Sequence, residues 1–374
     1  MRILHAIAEL TPGGAERIVL ALAGDAVAHG DAVAVASSGG PWVAELEAAG
    51  GRHYEVALPR RRPHTAALAA AQLRRAFARF RPDVVHAHNV GMAVAVAAAR
   101  LAVRPRPPLV TTLHGVDPAD LPSATRLLRA TRAPVVACAP AVASDLRGAG
   151  FPAGRLRVVV NGARLEPASP ERVAALADRL GLDGDRPLVV GVGRLVAQKR
   201  WEDLVEVAAR LDGVAAVVAG EGPLGPDLRA MAERRGSPVR FVGPVDDVPA
   251  LFGLAACLVS TSNWEGLPLV LLEALSLGVP VAAYGLDGFA EVTGDGAVLV
   301  PPGDVDALTD AVGRLLADPT LAAELGRRAR RAAGRWTPER MLASYRALYR
   351  DLAAPRPSGT PGTTRPSGPG PAPG

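Results

Sequence analysis

Lys199, in the stretch GRLVAQKR, is the only lysine in 374 residues; every other basic side chain is arginine. Arg194 stands five positions earlier. Two cations across a short loop suit a phosphate or diphosphate, and lysine offers a compact ammonium where arginine offers a planar fork. A surface charge pair is the plain alternative. Two carboxylates, Glu265 and Glu273, bracket the run EGLPLVLLE. Pro268 suits the first turn of a helix and Gly278 lies past its end. Glu265 therefore precedes that helix, and Glu273 lies about two turns inside it. Amides around Leu267 to Leu269 lack intrahelical partners by helix geometry. Together with Arg194 and Lys199 they would surround a diphosphate, leaving the two carboxylates to accept hydroxyls on either side. Glu273 has nearly all apolar neighbours, and a carboxylate buried there needs partners; ribose hydroxyls would supply them.

Three further features carry chemistry. Gly13 and Gly14, in ELTPGGAER, allow close approach of backbone to a ligand at the start of a helix. The alternative is a tight turn. Gly191 and Gly193 begin a G-x-G pattern, but Val196 stands where a dinucleotide fold needs its third glycine, which argues against a nicotinamide enzyme. His86 and His88 alternate in VVHAH and share one strand face. No third ligand stands near them in sequence, so neither a metal nor another cofactor is expected.

These residues fall just after short Val/Ala/Leu runs that alternate with helical patterns. Six such runs precede residue 160 and six follow it, from RILHAIA to AVLV. Continuous apolar strands between helices predict parallel sheets covered on both faces. The fold class is α/β, with two doubly wound Rossmann-like domains facing across a cleft. The expected divisions are 1–165, 166–336, a helix at 337–353 packing back towards the first domain, and a disordered Pro/Gly-rich tail at 354–374. Thr337 caps that helix and Pro338 opens it.

Composition narrows the partners. The formal charge is +5, hydrophobic content 49% and charged content 21%, which describe a soluble chain open to anionic ligands. Aromatic content of 4%, without basic-aromatic interleaving, argues against nucleic acid. Cys138 and Cys257 sit in apolar contexts without zinc spacing. The N-terminus lacks a secretory pattern, and no apolar run reaches the roughly 18 residues of a membrane span, so a cytoplasmic location is expected. Pro59 to Pro82 holds seven arginines and no acid, with Leu73, Phe77 and Phe80 at helical spacing. This helix either packs on the sheet or docks on an anionic membrane surface bearing a lipid-linked acceptor.

The ordered set GGAER, PDVVHAHN, TTLHG, VVVNG, GRLVAQK, VAGEGPL, VRFVGPVDDVPALF and the Glu-x7-Glu run resembles the retaining glycosyltransferases of family 4, with the GT-B fold. The resemblance covers about residues 1 to 353. It implies a nucleotide-diphosphate sugar as donor, a hydroxyl acceptor, retention at the anomeric carbon and no metal. It assigns Arg194 and Lys199 to the diphosphate, Glu265 and His114 to the transferred sugar, and Glu273 to the ribose. Gly14, Gly193, Gly266, Leu267, Pro268 and Leu269 would also lie by the donor, with Phe241, Val242 and Gly243 at its base. Gly13 and His88 face the acceptor side. Envelope glycan, glycolipid and small natural product are all open as acceptors. Gly285, Asp287 and Ala290 depart from the usual D-x-G-G-x-P-E turn. The competing readings are an isomerase of the same architecture, which would form product from donor alone, and a non-catalytic nucleotide-sugar-binding subunit.

Overall fold

A computed structural model describes residues 1–57, 63–182 and 184–354. Arg60 to Arg62 and the tail from 355 onward, read above as basic and disordered segments, lie outside the described residues. Within them, thirteen strands form two wholly parallel sheets. The first contains β1 (Arg2–Ala6), β2 (Ala32–Ser37), β3 (Arg52–Glu55), β4 (Val84–Ala87), β5 (Leu109–Leu113), β6 (Val135–Ala137) and β7 (Leu156–Val158), in the order 3-2-1-4-5-6-7. The second contains β8 (Leu188–Val192), β9 (Ala215–Ala219), β10 (Val239–Gly243), β11 (Ala255–Ser260), β12 (Val281–Tyr284) and β13 (Val298–Val300), in the order 10-9-8-11-12-13.

β7 was absent from the twelve expected strands. It is a three-residue edge strand with only Leu156 buried, too short and too exposed to give an apolar run. The central strands are buried throughout, as parallel strands between two helical layers must be. In each sheet the winding direction reverses once, between β1 and β4 and between β8 and β11. A crevice opens beyond the carboxyl ends of such neighbouring strands, where ligands of open α/β sheets bind. The loops after β1 and β4, and after β8 and β11, hold the candidate residues.

The helix Pro63–Phe80 packs its apolar side on the sheet. Its apolar stripe of Leu73, Ala76, Phe77 and Phe80 is buried in the first lobe's core, and Arg74, Arg75 and Arg79 point to solvent. The stripe is therefore not free to enter lipid. Among the described residues, no helix is long and apolar enough to cross a membrane.

The terminal helix Pro338–Ala353, whose Thr337 cap accepts the Arg340 amide, returns to the first lobe. Met341, Tyr345 and Tyr349 enter that lobe's core. The Tyr345 hydroxyl lies 2.8 Å from Thr112 Oγ1, the Tyr349 hydroxyl 2.7 Å from His86 Nδ1, and Arg346 pairs with Asp25. This helix fastens the end of the second lobe to the first. Replacing Tyr345 by Ala should cost about 3–5 kcal/mol, as for other large core aromatics. Urea unfolding measures it; a loss below about 1 kcal/mol would contradict this packing.

Candidate active site

The second lobe supplies a cationic loop. After β8, the Gly193 amide donates to Ala219 O at 2.9 Å and the Leu195 amide to Glu221 O at 2.8 Å, so the segment leaves along β9. A Cβ at Gly193 would lie 3.1 Å from Lys199 Cε, at a φ of +154° that favours glycine. The buried Trp201 indole donates to Arg194 O at 2.9 Å. A 3₁₀ turn, Ala197–Lys199, then leads to Arg200 in the left-handed region, with φ 47°. A fork of Arg200 bonds to Asp203 at 2.7 and 3.0 Å holds it there, and the Tyr284 hydroxyl donates to the same carboxylate at 2.6 Å.

That loop is tied to the one after β11. The Thr261 hydroxyl donates to Lys199 O at 2.6 Å, the Asn263 amide to Gln198 O at 2.8 Å, and the Gln198 side chain to Trp264 O at 2.9 Å. The result is a direct Lys199–Glu265 ion pair of 2.5 Å, with side chains only 14% and 10% exposed. Ser262 Oγ donates to the same Glu265 oxygen at 2.8 Å. The helix Leu269–Leu277 follows. Pro268 is its N-cap rather than a first-turn residue, and Glu273 is its fifth residue, just over one turn inside. Gly278 closes it in the left-handed conformation. Burial raises the Glu273 carboxyl above its ordinary range, and Arg17 of the first lobe opposes the rise. Phe241, Val242 and Gly243 end β10, where Gly243 O accepts the Gly220 amide at 2.8 Å.

The first lobe meets these elements closely. The helix Gly14–Ala28 begins at Gly14, and a Cβ there would lie 3.8 Å from Leu269 Cγ, so two helix N-termini face each other across the cleft. A Cβ on Gly266 would collide with His114 O, and one on Gly115 would lie 2.8 Å from the Gly266 amide. Glycine at both places permits this approach. Glu16, in the first turn of the Gly14–Ala28 helix, folds back over Gly13. Burial raises its carboxyl, and Glu9 adds to the rise; its own amide and Arg194 across the cleft oppose it. Arg194 is therefore within electrostatic reach of the first lobe's Glu16. A cavity of about 380 Å³ beside these groups is lined by Glu16, His88, Asn89 and His114, with Ile7 and Val116 as apolar walls.

The cavity is backed by an imidazole cluster. His5 Nδ1 lies 3.0 Å from His88 Nε2, and His88 Nδ1 lies 3.2 Å from His114 Nε2. His86 contacts the Tyr349 hydroxyl through Nδ1 and Thr112 Oγ1 through Nε2, each at 2.7 Å. Sequence spacing showed no third imidazole beside His86 and His88, yet β1 brings His5 within 4.8 Å of both. Every ring nitrogen of His86 and His88 is engaged by hydroxyl or imidazole.

Sequence reasoning placed Arg194, Lys199, Glu265, Glu273, Gly14, Gly266, His88 and His114 around this crevice, and the structure brings them together. Phe241 to Gly243 line a neighbouring strand end. Glu16, Asn89, Gln198 and Ser262 went unassigned. An acid in the first turn after GG was the one available signal for Glu16. Cys138 and Cys257 are buried free thiols pushed up to about 12 by desolvation.

Burial holds four of these imidazoles neutral: His5 falls to about 3, His114 to about 4, and His86 and His88 well below their ordinary value. The unfolded chain takes up these protons below about pH 6.5, and the native state does not until about pH 4. Stability is therefore lost as pH falls through that window, by up to about 1.4 kcal/mol per pH unit for each histidine. The raised carboxyls of Glu16 and Glu273 act in the opposite sense, but they are two against four. Urea unfolding at pH 7.5 and pH 5 should show a clear drop; a flat profile would contradict a buried neutral cluster.

Residues 12–166 match the family described as Glycosyltransferase Family 4, and residues 173–332 match Glycosyl transferases group 1. A 2-deoxystreptamine N-acetyl-D-glucosaminyltransferase of Streptomyces fradiae is 33% identical over 330 residues, covering 78% of this chain and 75% of that protein. An alpha-D-kanosaminyltransferase of Streptomyces kanamyceticus is 37% identical over 160 residues, 40% of this chain and 41% of that protein. Among solved structures, HepE of Anabaena with UDP and glucose has a TM-score of 0.83 at 24% identity, covering 94% of this chain and 100% of that one. Sequence motifs, paired parallel sheets and the relative matched over 75% of its length agree: the chain belongs to the family 4 glycosyltransferases and has the GT-B fold.

Proposed function

We propose that the protein transfers a sugar from a UDP- or GDP-linked donor to a hydroxyl acceptor, with retention at the anomeric carbon. The observation that carries this reading is the convergence of Arg194, Lys199 and two helix N-termini on one crevice, with Glu273 beside them. Departure of the nucleotide builds charge on the β-phosphate oxygens. Groups stabilising that charge more than the ground state accelerate transfer. Each cation supplies about 4 kcal/mol of gross attraction at ~4 Å and an effective dielectric near 20, before desolvation is subtracted. In this reading Glu273 accepts ribose hydroxyls, Glu265 and the amide after Gly266 hold the transferred sugar, and Phe241 to Gly243 flank the base. No divalent ion is part of the proposal, because cations and amides already match the diphosphate.

The acceptor enters the first-lobe cavity beside Glu16, Asn89 and His114. An envelope glycan, a glycolipid and a small natural product each present the required hydroxyl. The relative named as a 2-deoxystreptamine N-acetyl-D-glucosaminyltransferase favours a small natural-product acceptor. A lipid-linked acceptor would instead use the arginine face of the first lobe as its platform. Arg74, Arg75, Arg79 and Arg81 are exposed there near Leu68, itself 51% exposed. Arg126, Arg129, Arg132 and Arg155 line a shallow concavity of about 570 Å³ on the same lobe. That concavity is larger than the crevice cavity but holds none of the candidate catalytic groups. Vesicle sedimentation tests this platform: binding to anionic but not neutral vesicles, weakened by salt, is expected. Equal binding to both, or none, would remove it.

The donor site is tested by thermal shift with UDP and GDP, followed by product analysis with and without acceptor. One nucleotide should raise Tm, and product should need an acceptor; product from donor alone would indicate an isomerase. Lys199→Ala and Arg194→Ala should each lower turnover about 10²- to 10³-fold while keeping a cooperative unfolding transition. Near-normal turnover in either variant would refute the assignment.

A further inference from the structure

Three imidazoles run in file from the first lobe's core to its cavity. His5 sits on β1, His88 just beyond β4 and His114 just beyond β5. The contacts are His5 Nδ1 to His88 Nε2 at 3.0 Å and His88 Nδ1 to His114 Nε2 at 3.2 Å. Contact between two neutral imidazoles needs one N–H and one lone pair. The three tautomers are therefore fixed together, and only two sets satisfy both contacts. Either all three rings carry the proton on Nδ1, or all three carry it on Nε2.

The far end of the file decides between them. His5 Nε2 is buried with no hydrogen-bond partner among the described residues. With protons on Nε2, His5 would bury an orphaned N–H; with protons on Nδ1, it buries only a lone pair. Orphaned buried N–H groups are the rarer and costlier case. At the near end, His114 lines the cavity and its Nδ1 makes no hydrogen bond to the described residues. We propose that His5 and His88 are positioning residues that hold His114 as its Nδ1–H tautomer, so that it presents an N–H donor to an oxygen of the molecule in the cavity. The use of that donor rests on the glycosyl-transfer reading; the tautomer itself does not.

The file also explains why a histidine with no access to the cavity stands at position 5. Phe or Leu would fill the same core space, but neither can donate to His88 and so select its tautomer. An Asn amide can. The consequence at His114 is a donor directed at a substrate oxygen, whereas the opposite tautomer would offer a lone pair, which can only accept from a hydroxyl.

Long-range ¹H–¹⁵N spectra of the full chain labelled at histidine, at pH 7.5 and without ligand, test this directly. Signals are assigned by single histidine replacements. The expected result is a protonated Nδ1 and a bare Nε2 on His5, His88 and His114. In His5→Phe, His114 should lose this single form and show a population with Nε2 protonated, whereas His5→Asn should retain it. Urea unfolding of both variants identifies those that are folded. If His5→Phe fails to fold, the wild-type and His5→Asn spectra still decide the matter. A wild-type His114 protonated on Nε2, or an unchanged His114 tautomer in folded His5→Phe, would overturn the proposal. Neither readout needs substrate, so failure here is distinguishable from failure of the transfer assignment.

Discussion

The ion pair between Lys199 and Glu265 is the constraint on which the crevice depends. It joins the loops at the reversal point of the second sheet, and hydrogen bonds from Thr261, Asn263 and Gln198 hold both loops in register with it. A cation with so little exposure needs a counter-charge, because desolvation without one is severe. Glu265 supplies it. The charge of Arg194 also reaches Glu16 on the opposite lobe, without the direct contact that joins Lys199 to Glu265. Each cation proposed for the diphosphate thus has a carboxylate within electrostatic reach. An arriving diphosphate would draw on both cations, and leave both carboxylates facing the hydroxyls of donor and acceptor.

The same economy of distance shapes the lobes. Contacts between them involve glycine where a side chain would collide, as at Gly115 and Gly266. The first helix abuts Leu269 at its N-terminus, so partial positive charge from two helices converges where the cations already lie. The terminal helix, with two tyrosines and Met341 in the first lobe's core, sets the geometry from the far side. A relative displacement of the lobes would separate Arg194 from Glu16 and Glu273 from Arg17 together.

Much of this was legible in the sequence because local physics wrote it there. Thr337 and Pro338 marked the start of the terminal helix, and Gly278 marked the end of the glutamate-bearing one. The cationic loop was found because it follows an apolar strand, which in a parallel sheet directs it to the crevice. Pairings between distant segments were not legible. Nothing near Lys199 in sequence points to Glu265, 66 positions away. His5 meets His86 because β1 and β4 are neighbours in register, a fact of topology rather than spacing. The helix Pro63–Phe80 showed an amphipathic stripe, but its sequence could not tell whether sheet or lipid covered that stripe. β7 escaped because a three-residue edge strand carries too little pattern.

The most direct measurement is a crystal structure of the protein with bound UDP or GDP. The account predicts the diphosphate between the loop after β8 and the N-terminus of the Leu269–Leu277 helix. Lys199 Nζ and the Arg194 guanidinium should lie within about 3 Å of its oxygens, and Glu273 should contact the ribose. A diphosphate bound elsewhere, or one in the crevice that leaves Lys199 on Glu265 without a phosphate contact, would contradict it.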